Sequence, residues 1–223
     1  MKTLLTAVLL LFMQLSFGQD KRDPGAFTSL KVFDRISAEL IPADANVVQI
    51  SGSRSKEVEI INKNGTLHIR MPLKKLLQGE EINVKVYYTE LRDIEAGEGS
   101  FVSGAKIMDQ ESLSLDAREG AGIQLVLDVD KLNVRSVTGA TARLSGSAKF
   151  MEASLGTGGI LKAKELETAS TSISITTGGQ ADIYATDSVE AKIKAGGDVT
   201  VYGNPRSIDE KITLGGSVTR VDK

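Results

Sequence analysis

The chain contains one histidine, His68, and a catalytic triad or a two-histidine metal site would need this residue at its centre. It lies between Leu67 and Ile69, shortly after an Asn64-Gly65 turn signal. Alternation of polar and apolar residues is typical of a strand with one wet face. We therefore interpret His68 as a strand residue that points to solvent, and we predict no catalytic residue around it.

Two acidic residues, Asp128 and Asp130, flank Val129 and are the best candidates for a cation site. Acids two positions apart on a strand share one face. A calcium loop needs more oxygen ligands in a fixed, glycine-containing order, and neither the EF-hand phrase nor the aspartate-bearing nonapeptide repeat is present. We interpret the pair as a solvated corner and predict no metal and no cofactor.

Hydroxyl and basic residues form two further candidate patches. The stretch Thr168–Thr177 (TASTSISITT) can place serine and threonine on one flat outer face, which suits ice or a polysaccharide. Serine and threonine are also ordinary residues on the wet face of a strand, and this is the interpretation that we favour. Lys74 and Lys75 form too small a cluster to indicate a membrane or nucleic-acid surface.

Composition restricts the function classes. The 223 residues include 27 Lys and Arg against 29 Asp and Glu, a balance that excludes the basic surface of a nucleic-acid-binding protein. Cysteine is absent, so neither disulfides nor a lipid-bearing cysteine stabilise or anchor the chain. Trp is absent and only 4% of residues are aromatic, although sugar clefts and apolar ligand pockets usually use such side chains.

The first 18 residues have the pattern of a secretory signal peptide. Lys2 precedes the apolar run Leu4–Phe12, and Ser16-Phe17-Gly18 places small residues at a cleavage site. The run is shorter than the roughly 20 residues that a membrane span needs. We predict a mature chain from Gln19 that is exported to the periplasm, the cell surface or the medium, without a later transmembrane segment. An uncleaved anchor helix is the alternative.

The next part of the chain is predicted to be rich in strands. Residues 19–26 are charged, contain a Pro24-Gly25 turn, and are expected to be mobile. Over residues 27–90 we predict a β-rich section that caps the following repeat, with a hairpin around Asn64-Gly65. The same residues match a glycosylation sequon, an alternative that we consider weaker. Residues 71–81 indicate a short turn, and Ile82–Tyr88 alternates as a strand.

Residues 91–223 repeat one phrase: an alternating apolar run, a turn of small residues, and a second alternating run. The aligned apolar position falls at Phe101, Ile123, Ala142, Leu161, Ala181, Val199 and Val218, with spacings of 22, 19, 19, 20, 18 and 19 residues. A constant period of about 20 residues predicts stacked coils.

Counted from the aligned position, the residues ten, eight and six places earlier also recur and are mostly apolar. They are Leu113, Leu115 and Ala117; Leu132, Val134 and Ser136; Met151, Ala153 and Leu155; Thr171, Ile173 and Ile175; Val189, Ala191 and Ile193; and Ile208, Glu210 and Ile212. Two places after it stand Leu125, Leu144, Ala163, Ile183 and Val201. Each copy thus predicts two short, half-buried strands joined by a corner.

One coil cannot bury its own apolar row, whereas stacked coils align equivalent residues into internal columns. The sequence therefore predicts an all-β parallel β-helix of about seven coils. A sandwich or a barrel also has short strands with regular turns, but neither requires equivalent residues to return at this period. The sharp corners explain four pairs of adjacent glycines: Gly158-Gly159, Gly178-Gly179, Gly196-Gly197 and Gly215-Gly216.

The end of the chain resembles a known family. Residues 195–221 contain Gly196-Gly197-Asp198, alternating Val199 and Val201, a Tyr202-Gly203-Asn204-Pro205 corner and a last glycine-rich turn at Gly215-Gly216-Ser217. The opening Phe27–Met71 is similar too. These features resemble the bacterial GIN-domain family of auto-transporter adhesin head domains. The resemblance implies a right-handed β-helix in an exported protein. The middle coils depart from it at Gly120-Ala121-Gly122 and Thr138-Gly139-Ala140.

We therefore predict an exported, non-enzymatic binding or adhesion module of the cell envelope that presents a repetitive outer face. Its predicted partner is a surface polysaccharide or protein, and a homo-oligomer through the terminal coil is a further expectation. The alternatives are an enzyme acting on surface polysaccharide, with clustered acids and bases in a groove lined by Tyr184 and Tyr202, and a structural protein that assembles through open strand edges.

Overall fold

The computed structural model describes residues 20–221, and within them the chain is a parallel β-solenoid. The predicted signal peptide lies outside the described residues. The coils stack at about 19 residues per turn and number about seven. The predicted all-β fold and solenoid architecture are therefore confirmed.

The described residues form sixteen strands and two 3-10 turns, the latter at Ser55–Glu57 and Leu73–Lys75. The strands are β1 (Asp20–Arg22), β2 (Ser29–Val32), β3 (Ser37–Pro42), β4 (Val47–Ser51), β5 (Glu59–Lys63), β6 (Thr66–Arg70), β7 (Asn83–Tyr88), β8 (Asp93–Ala96), β9 (Phe101–Ala117), β10 (Gly122–Val137), β11 (Thr141–Gly156), β12 (Ile160–Ile175), β13 (Gly179–Ala195), β14 (Gly197–Tyr202), β15 (Ser207–Leu214) and β16 (Ser217–Arg220).

The internal columns have the predicted register. In the strand ladder, Ile123 pairs with Ala142, Ala142 with Leu161, Leu161 with Ala181 and Ala181 with Val199, so that these residues form one continuous column. The residues eight places earlier pair in the same way from Leu115 through to Glu210. Each fully buried Leu, Ile or Val in these columns contributes roughly 1.5–3 kcal/mol.

The assignment of Phe101 to the column is wrong by one residue. Ile123 pairs with Val102, while Phe101 pairs with Gly122. Val102 is 0% exposed and Phe101 is 41% exposed, so Val102 is the inward residue. The spacing in this coil is affected by a bulge, because Ala105 and Lys106 have no partners between the Gly104–Leu125 and Ile107–Val126 pairs.

The strands of the coils are longer than predicted. β9 to β13 each contain 16 or 17 residues and bend within the strand, instead of ending at a corner after a few residues. Additional inward residues such as Leu127, Val129 and Leu166 extend the core beyond the columns that the period predicts. Further bulges, where β12 pairs with β11 and β13, allow this wrapping.

The tight corner recurs at the predicted glycines and also in the middle coils. Gly120 and Gly139 have φ values of 72°, close to the 74° of Gly158, so all three occupy equivalent left-handed positions. The next residue is restricted differently. A Cβ atom on Gly159 would lie 1.9 Å from the carbonyl oxygen of Ser136, so only glycine fits between neighbouring coils there.

The N-terminal section continues the same ladder, but its rungs are not stacked in chain order. β2 pairs in parallel with both β6 and β8, and β3 pairs in parallel with both β7 and β9. The rung made by β6 and β7 therefore lies outside the rung made by β2 and β3. The predicted Asn64-Gly65 hairpin is confirmed, since β5 and β6 pair around it and both residues have positive φ.

Antiparallel strands lie beyond this outermost rung. β4 pairs with β7, β5 pairs with β6, and β1 pairs with β4. β1 falls within the segment that the sequence suggests is mobile.

Buried Asp34 holds the loop between β6 and β7 in place, because its carboxylate accepts hydrogen bonds from the backbone N–H groups of Met71 at 2.9 Å and Leu77 at 2.8 Å.

The last coil is not covered by another rung within the described residues. In β15, the inward positions carry Ile208, Glu210 and Ile212, which pair with Val189, Ala191 and Ile193 of the coil before. Ile212 is 40% exposed, although Ile193 in the same column is 1% exposed. The inward column of Val201 likewise ends at the exposed Arg220. The inward columns of Ala191 and Val201 thus end in charged residues, Glu210 and Arg220.

Candidate functional site

His68 lies where the sequence predicts, on the outer face of a strand. It is half-buried in β6, pairs with Lys31 of β2 and Ile61 of β5, and stands between the buried Leu67 and Ile69. Partial burial lowers the pKa of His68, and the charges of Lys31 and Arg70 lower it further. Glu95, which is ion-paired with Lys31, acts on the pKa of His68 in the opposite direction, and the residues that pair directly with His68 in the ladder are basic and apolar.

Asp128 and Asp130 share one face of β10 and bind neighbouring side chains. Ser147 donates a hydrogen bond to Asp128 at 2.7 Å, and the Lys149 ammonium lies 2.6 Å from Asp130. Asp130 raises the pKa of Lys149 through this hydrogen bond and its charge. Within residues 20–221, no three His, Cys, Asp or Glu side chains are arranged to hold a metal ion.

The hydroxyl-rich stretch divides between the two faces of β12. Thr168 and Thr171 point inward and are buried, with their hydroxyl oxygens 2.8 Å apart. Ser172 and Ser174 are half-buried on the outer side, and Ser170 accepts a hydrogen bond at 2.9 Å from Ser188 of the next coil. The outer hydroxyl face is therefore smaller than the ten-residue stretch implies.

Tyr184 and Tyr202 pair on neighbouring strands, and the Lys164 ammonium lies 5.0 Å from the centre of the Tyr202 ring. This distance is within cation–π range.

A concave outer surface of about 950 Å³, which we call the sheet groove, crosses eight strands of the solenoid and its N-terminal section. Most of its lining residues are polar, although apolar atoms contribute the larger part of its surface, and Phe101 is its aromatic residue. The charged residues are Glu39, Lys85, Arg143, Lys162, Lys164, Glu165 and Asp182. Tyr184 and Tyr202 are not part of this lining.

The floor of the sheet groove contains a row of outward side chains in register. Ser103 pairs with Gln124, Gln124 with Arg143, Arg143 with Lys162, and Lys162 with Asp182. Successive members belong to adjacent strands, so they repeat at the strand spacing of about 4.8 Å. The row runs across the strands and follows the stack of coils.

Ion pairing is uneven along this row. Lys85 lies 3.7 Å from Glu39 at the N-terminal end of the sheet groove. Neither Arg143 nor Lys162 has a carboxylate within ion-pair distance among residues 20–221, and both are exposed. The groove therefore presents two adjacent cations whose hydrogen-bonding groups are available to a ligand.

Sequence reasoning missed the sheet groove, because spacings of at most 22 residues leave no long loops to build one. The structure forms it without such loops, from the curvature of one sheet and from the bulge residues Ala105, Lys164 and Glu165. A signal was present: Gln124, Arg143, Lys162 and Asp182 each follow the aligned apolar position by one residue.

No helix among the described residues is long and apolar enough to cross a membrane.

Three solved structures share this fold over nearly the whole chain. A protein of Bacteroides fragilis described as a putative adhesin has a TM-score of 0.85 and 16% identity, covering 93% of this chain and 98% of its own. A putative adhesin of Parabacteroides merdae has a TM-score of 0.71 and 18% identity, covering 92% and 96%.

A protein of Parabacteroides distasonis described as a putative lipid binding protein has a TM-score of 0.71 and 14% identity, covering 92% of this chain and 96% of its own. At these identities the likeness shows the fold alone. No curated protein matches the chain in sequence. The model of one protein family does match, over residues 26–205. The chain therefore belongs to the family described as "Putative auto-transporter adhesin, head GIN domain".

Proposed function

We propose that the chain is an exported, non-enzymatic binding or adhesion module of the cell envelope, and that the sheet groove is its binding surface. The observation that carries this proposal is a 950 Å³ concavity with adjacent, unpaired cations on its floor. Concave surfaces with a few convergent polar groups are the preferred places for ligands. The family's description as an adhesin head domain supports the same role.

A rigid ladder suits weak contacts that are repeated. The outward side chains of the floor are fixed by in-register strands and by buried residues on the inner face, so little conformational entropy is lost when a ligand orders them. Several weak contacts along one extended ligand then act together and raise the overall affinity. The charged, amide and hydroxyl groups on the groove floor favour a hydrophilic ligand over a lipid tail, although one structural relative is described as lipid-binding.

The test is a binding screen of residues 19–223 against surface glycans and matrix proteins. Replacing Ser103 and Gln124 together by leucine places apolar side chains on the groove floor and removes hydrogen-bonding groups there. The matched control replaces Asn133 and Ser154, exposed residues outside the groove lining, by leucine. The proposal requires the groove variant to lose binding while the control variant keeps it. Equal binding by both variants would place the ligand elsewhere.

An enzyme that acts on polysaccharide is a second candidate, because Glu39, Glu165 and Asp182 all line the sheet groove. Glycoside hydrolysis uses a pair of carboxyl groups, so the residue type is present. Release of reducing ends from surface polysaccharides distinguishes the two functions. Release that disappears in Asp182→Asn would establish hydrolysis, whereas binding without release supports the adhesion module.

Self-assembly through the terminal coil is a further proposal, with a second copy of this chain as the partner. β15 is the outermost strand of its sheet, and Leu214 is 72% exposed beside Ile212. Exposed strand edges readily pair with another chain. Light scattering over a range of concentrations tests this, and Leu214→Lys serves as the disrupting variant. A mass that stays monomeric at every concentration contradicts assembly.

A further inference from the structure

We propose that the ligand of the sheet groove is an acidic polysaccharide whose carboxylates bind Arg143 and Lys162. This inference rests on the proposed function, since it names the ligand class of the same surface. The structural juxtaposition behind it is direct: Arg143 of β11 and Lys162 of β12 face each other across neighbouring strands on the groove floor.

Like charges directly opposite each other in a sheet destabilise it, unless a counterion lies between them. Several cations elsewhere on the outer faces have a carboxylate partner. Arg135 lies 3.2 Å from Asp116, Lys149 lies 2.6 Å from Asp130, and Lys192 pairs with Glu190. Lys192 and Lys211 also face each other in register, but there Glu190 neutralises one of the two cations. Arg143 and Lys162 have no carboxylate within ion-pair distance among residues 20–221, and an anionic ligand group between them would remove the repulsion.

The neighbouring residues indicate a polysaccharide rather than a compact anion. The cation pair continues into Gln124 and Ser103 on one side, and their amide and hydroxyl groups can hydrogen-bond sugar hydroxyls. The row crosses strands whose backbone groups are already used in the ladder, so a peptide cannot add to it as a strand. An extended chain with both hydroxyls and carboxylates matches this sequence of side chains.

Two further groups set the limits of the anionic subsite. Lys164 lies on a bulge at the groove margin, held over the Tyr202 ring, and adds a third cation. Asp182 follows Lys162 in the row without an ion pair to it, and Glu165 also lines the groove. Because Asp182 repels a bound carboxylate, its removal is expected to tighten binding.

The experiment measures the affinity of residues 19–223 for oligogalacturonate and alginate oligomers by calorimetry. The fully methyl-esterified oligogalacturonate is the matched probe, since it has the same backbone without charge. We expect the acidic oligomers to bind at least about tenfold more tightly than the ester, and their affinity to fall as salt rises through about 0.15 M. The double variant Arg143→Gln with Lys162→Gln should lose that preference.

The control variant Lys74→Gln with Lys131→Gln removes the same charge from two exposed lysines outside the groove and should keep the preference. Asp182→Asn should raise the affinity for the acidic oligomers. Thermal unfolding checks the fold, and the Arg143/Lys162 double variant should unfold at an equal or higher temperature because it relieves a repulsion.

Each outcome is decisive. Equal affinity for the acid and its ester, with binding still lost in the leucine variant of Ser103 and Gln124, overturns the acidic ligand and keeps the groove as a binding surface. Equal binding of polyglutamate overturns the polysaccharide and favours an acidic protein. Absence of binding to every glycan and matrix protein overturns both this inference and the proposed function.

Discussion

The hydroxyl oxygens of Thr168 and Thr171 lie 2.8 Å apart inside the solenoid, and the backbone of the next coil fixes the direction of their hydrogen bond. Thr168 donates its single hydroxyl proton to the carbonyl oxygen of Tyr184, at 2.7 Å. Thr171 must therefore be the donor to Thr168. Two polar residues are tolerated at inward positions because this chain of hydrogen bonds satisfies both.

This direction predicts unequal effects of two similar substitutions. Thr168→Val removes the hydroxyl that bonds both the buried hydroxyl of Thr171 and the carbonyl oxygen of Tyr184. It should lower the free energy of unfolding by about 1–3 kcal/mol. Thr171→Val removes only a donor and fits between Met151 and Val189 in the column, so its cost should be below about 1 kcal/mol. Urea denaturation measures both. Equal losses would contradict the assigned direction.

A second prediction concerns two adjacent glycines in one corner. Gly159→Ala places a methyl group 1.9 Å from the carbonyl oxygen of Ser136, and relief requires the coils to separate. We expect a loss of more than about 3 kcal/mol, among the largest effects of single substitutions. Gly158→Ala is the matched control: its Cβ meets nothing within 4 Å, and only the left-handed backbone costs about 1–2 kcal/mol.

The two variants are compared by the denaturant concentration at which half of the protein is unfolded. This comparison requires that the free energy of unfolding falls with denaturant at the same slope in both variants. A Gly159→Ala protein as stable as Gly158→Ala would show that neighbouring coils are not in close contact at this corner.

The third prediction is a pH dependence that originates at Glu98. Partial burial raises the pKa of Glu98 above its ordinary value of 4.5, and the nearby charge of Asp34 raises it further. The folded chain then binds this proton more tightly than the unfolded chain does. Glu98 therefore reduces stability as pH rises through the interval between its unfolded and folded pKa values, and the penalty is complete above that interval.

Glu98→Gln removes the titrating group and should raise the melting temperature at about pH 7 while changing it little at about pH 4. Glu152→Gln, on an exposed outer face, makes the same charge change far from Asp34 and is the control. A Glu98→Gln protein less stable at neutral pH than the wild type would reverse the sign of the predicted effect.

The fourth prediction distinguishes two neighbouring residues at the start of β9. Val102 is fully buried in the internal column, so Val102→Ala should cost about 1–3 kcal/mol through lost burial and a small cavity. Phe101 lies on the outer side of the sheet, and Phe101→Ser should change the free energy of unfolding by less than about 1 kcal/mol. Thermal or urea denaturation measures both variants, and the reverse order would restore Phe101 to the column.

The error at Phe101 illustrates how far the sequence predicts this fold. From Ile123 to Val199 a glycine-rich corner restarts the alternation in each coil, so the column through these residues has the predicted register in spite of the bulges in β12. In β9 the bulge at Ala105 and Lys106 disturbs the spacing, and phenylalanine is a stronger apolar signal than its neighbour valine. The period counts residues along the chain, so it cannot show that a bulge residue has no partner in the neighbouring strand.

The sheet groove was missed for a different physical reason. Outward residues have no apolar period to mark them, and their relation becomes visible only when the register of five strands is known. The repeat places Thr171 at an inward position, but the sequence contains no signal for the inward position of Thr168, because a hydroxyl pair that satisfies itself looks like a wet strand face. The sequence thus predicts the columns of the core, whereas the concave surface needed coordinates.

The stacking order at the N-terminal end affects how the chain reaches its native state. Strands β2 and β3 are made early, yet both of their neighbouring rungs consist of residues that the ribosome adds later. A nascent chain that ends before Thr66 has neither of the rungs that flank β2 and β3. Coil-by-coil winding in chain order therefore cannot start from β2 and β3 alone, because these two strands gain a neighbouring rung only after β6 and β7 have been added.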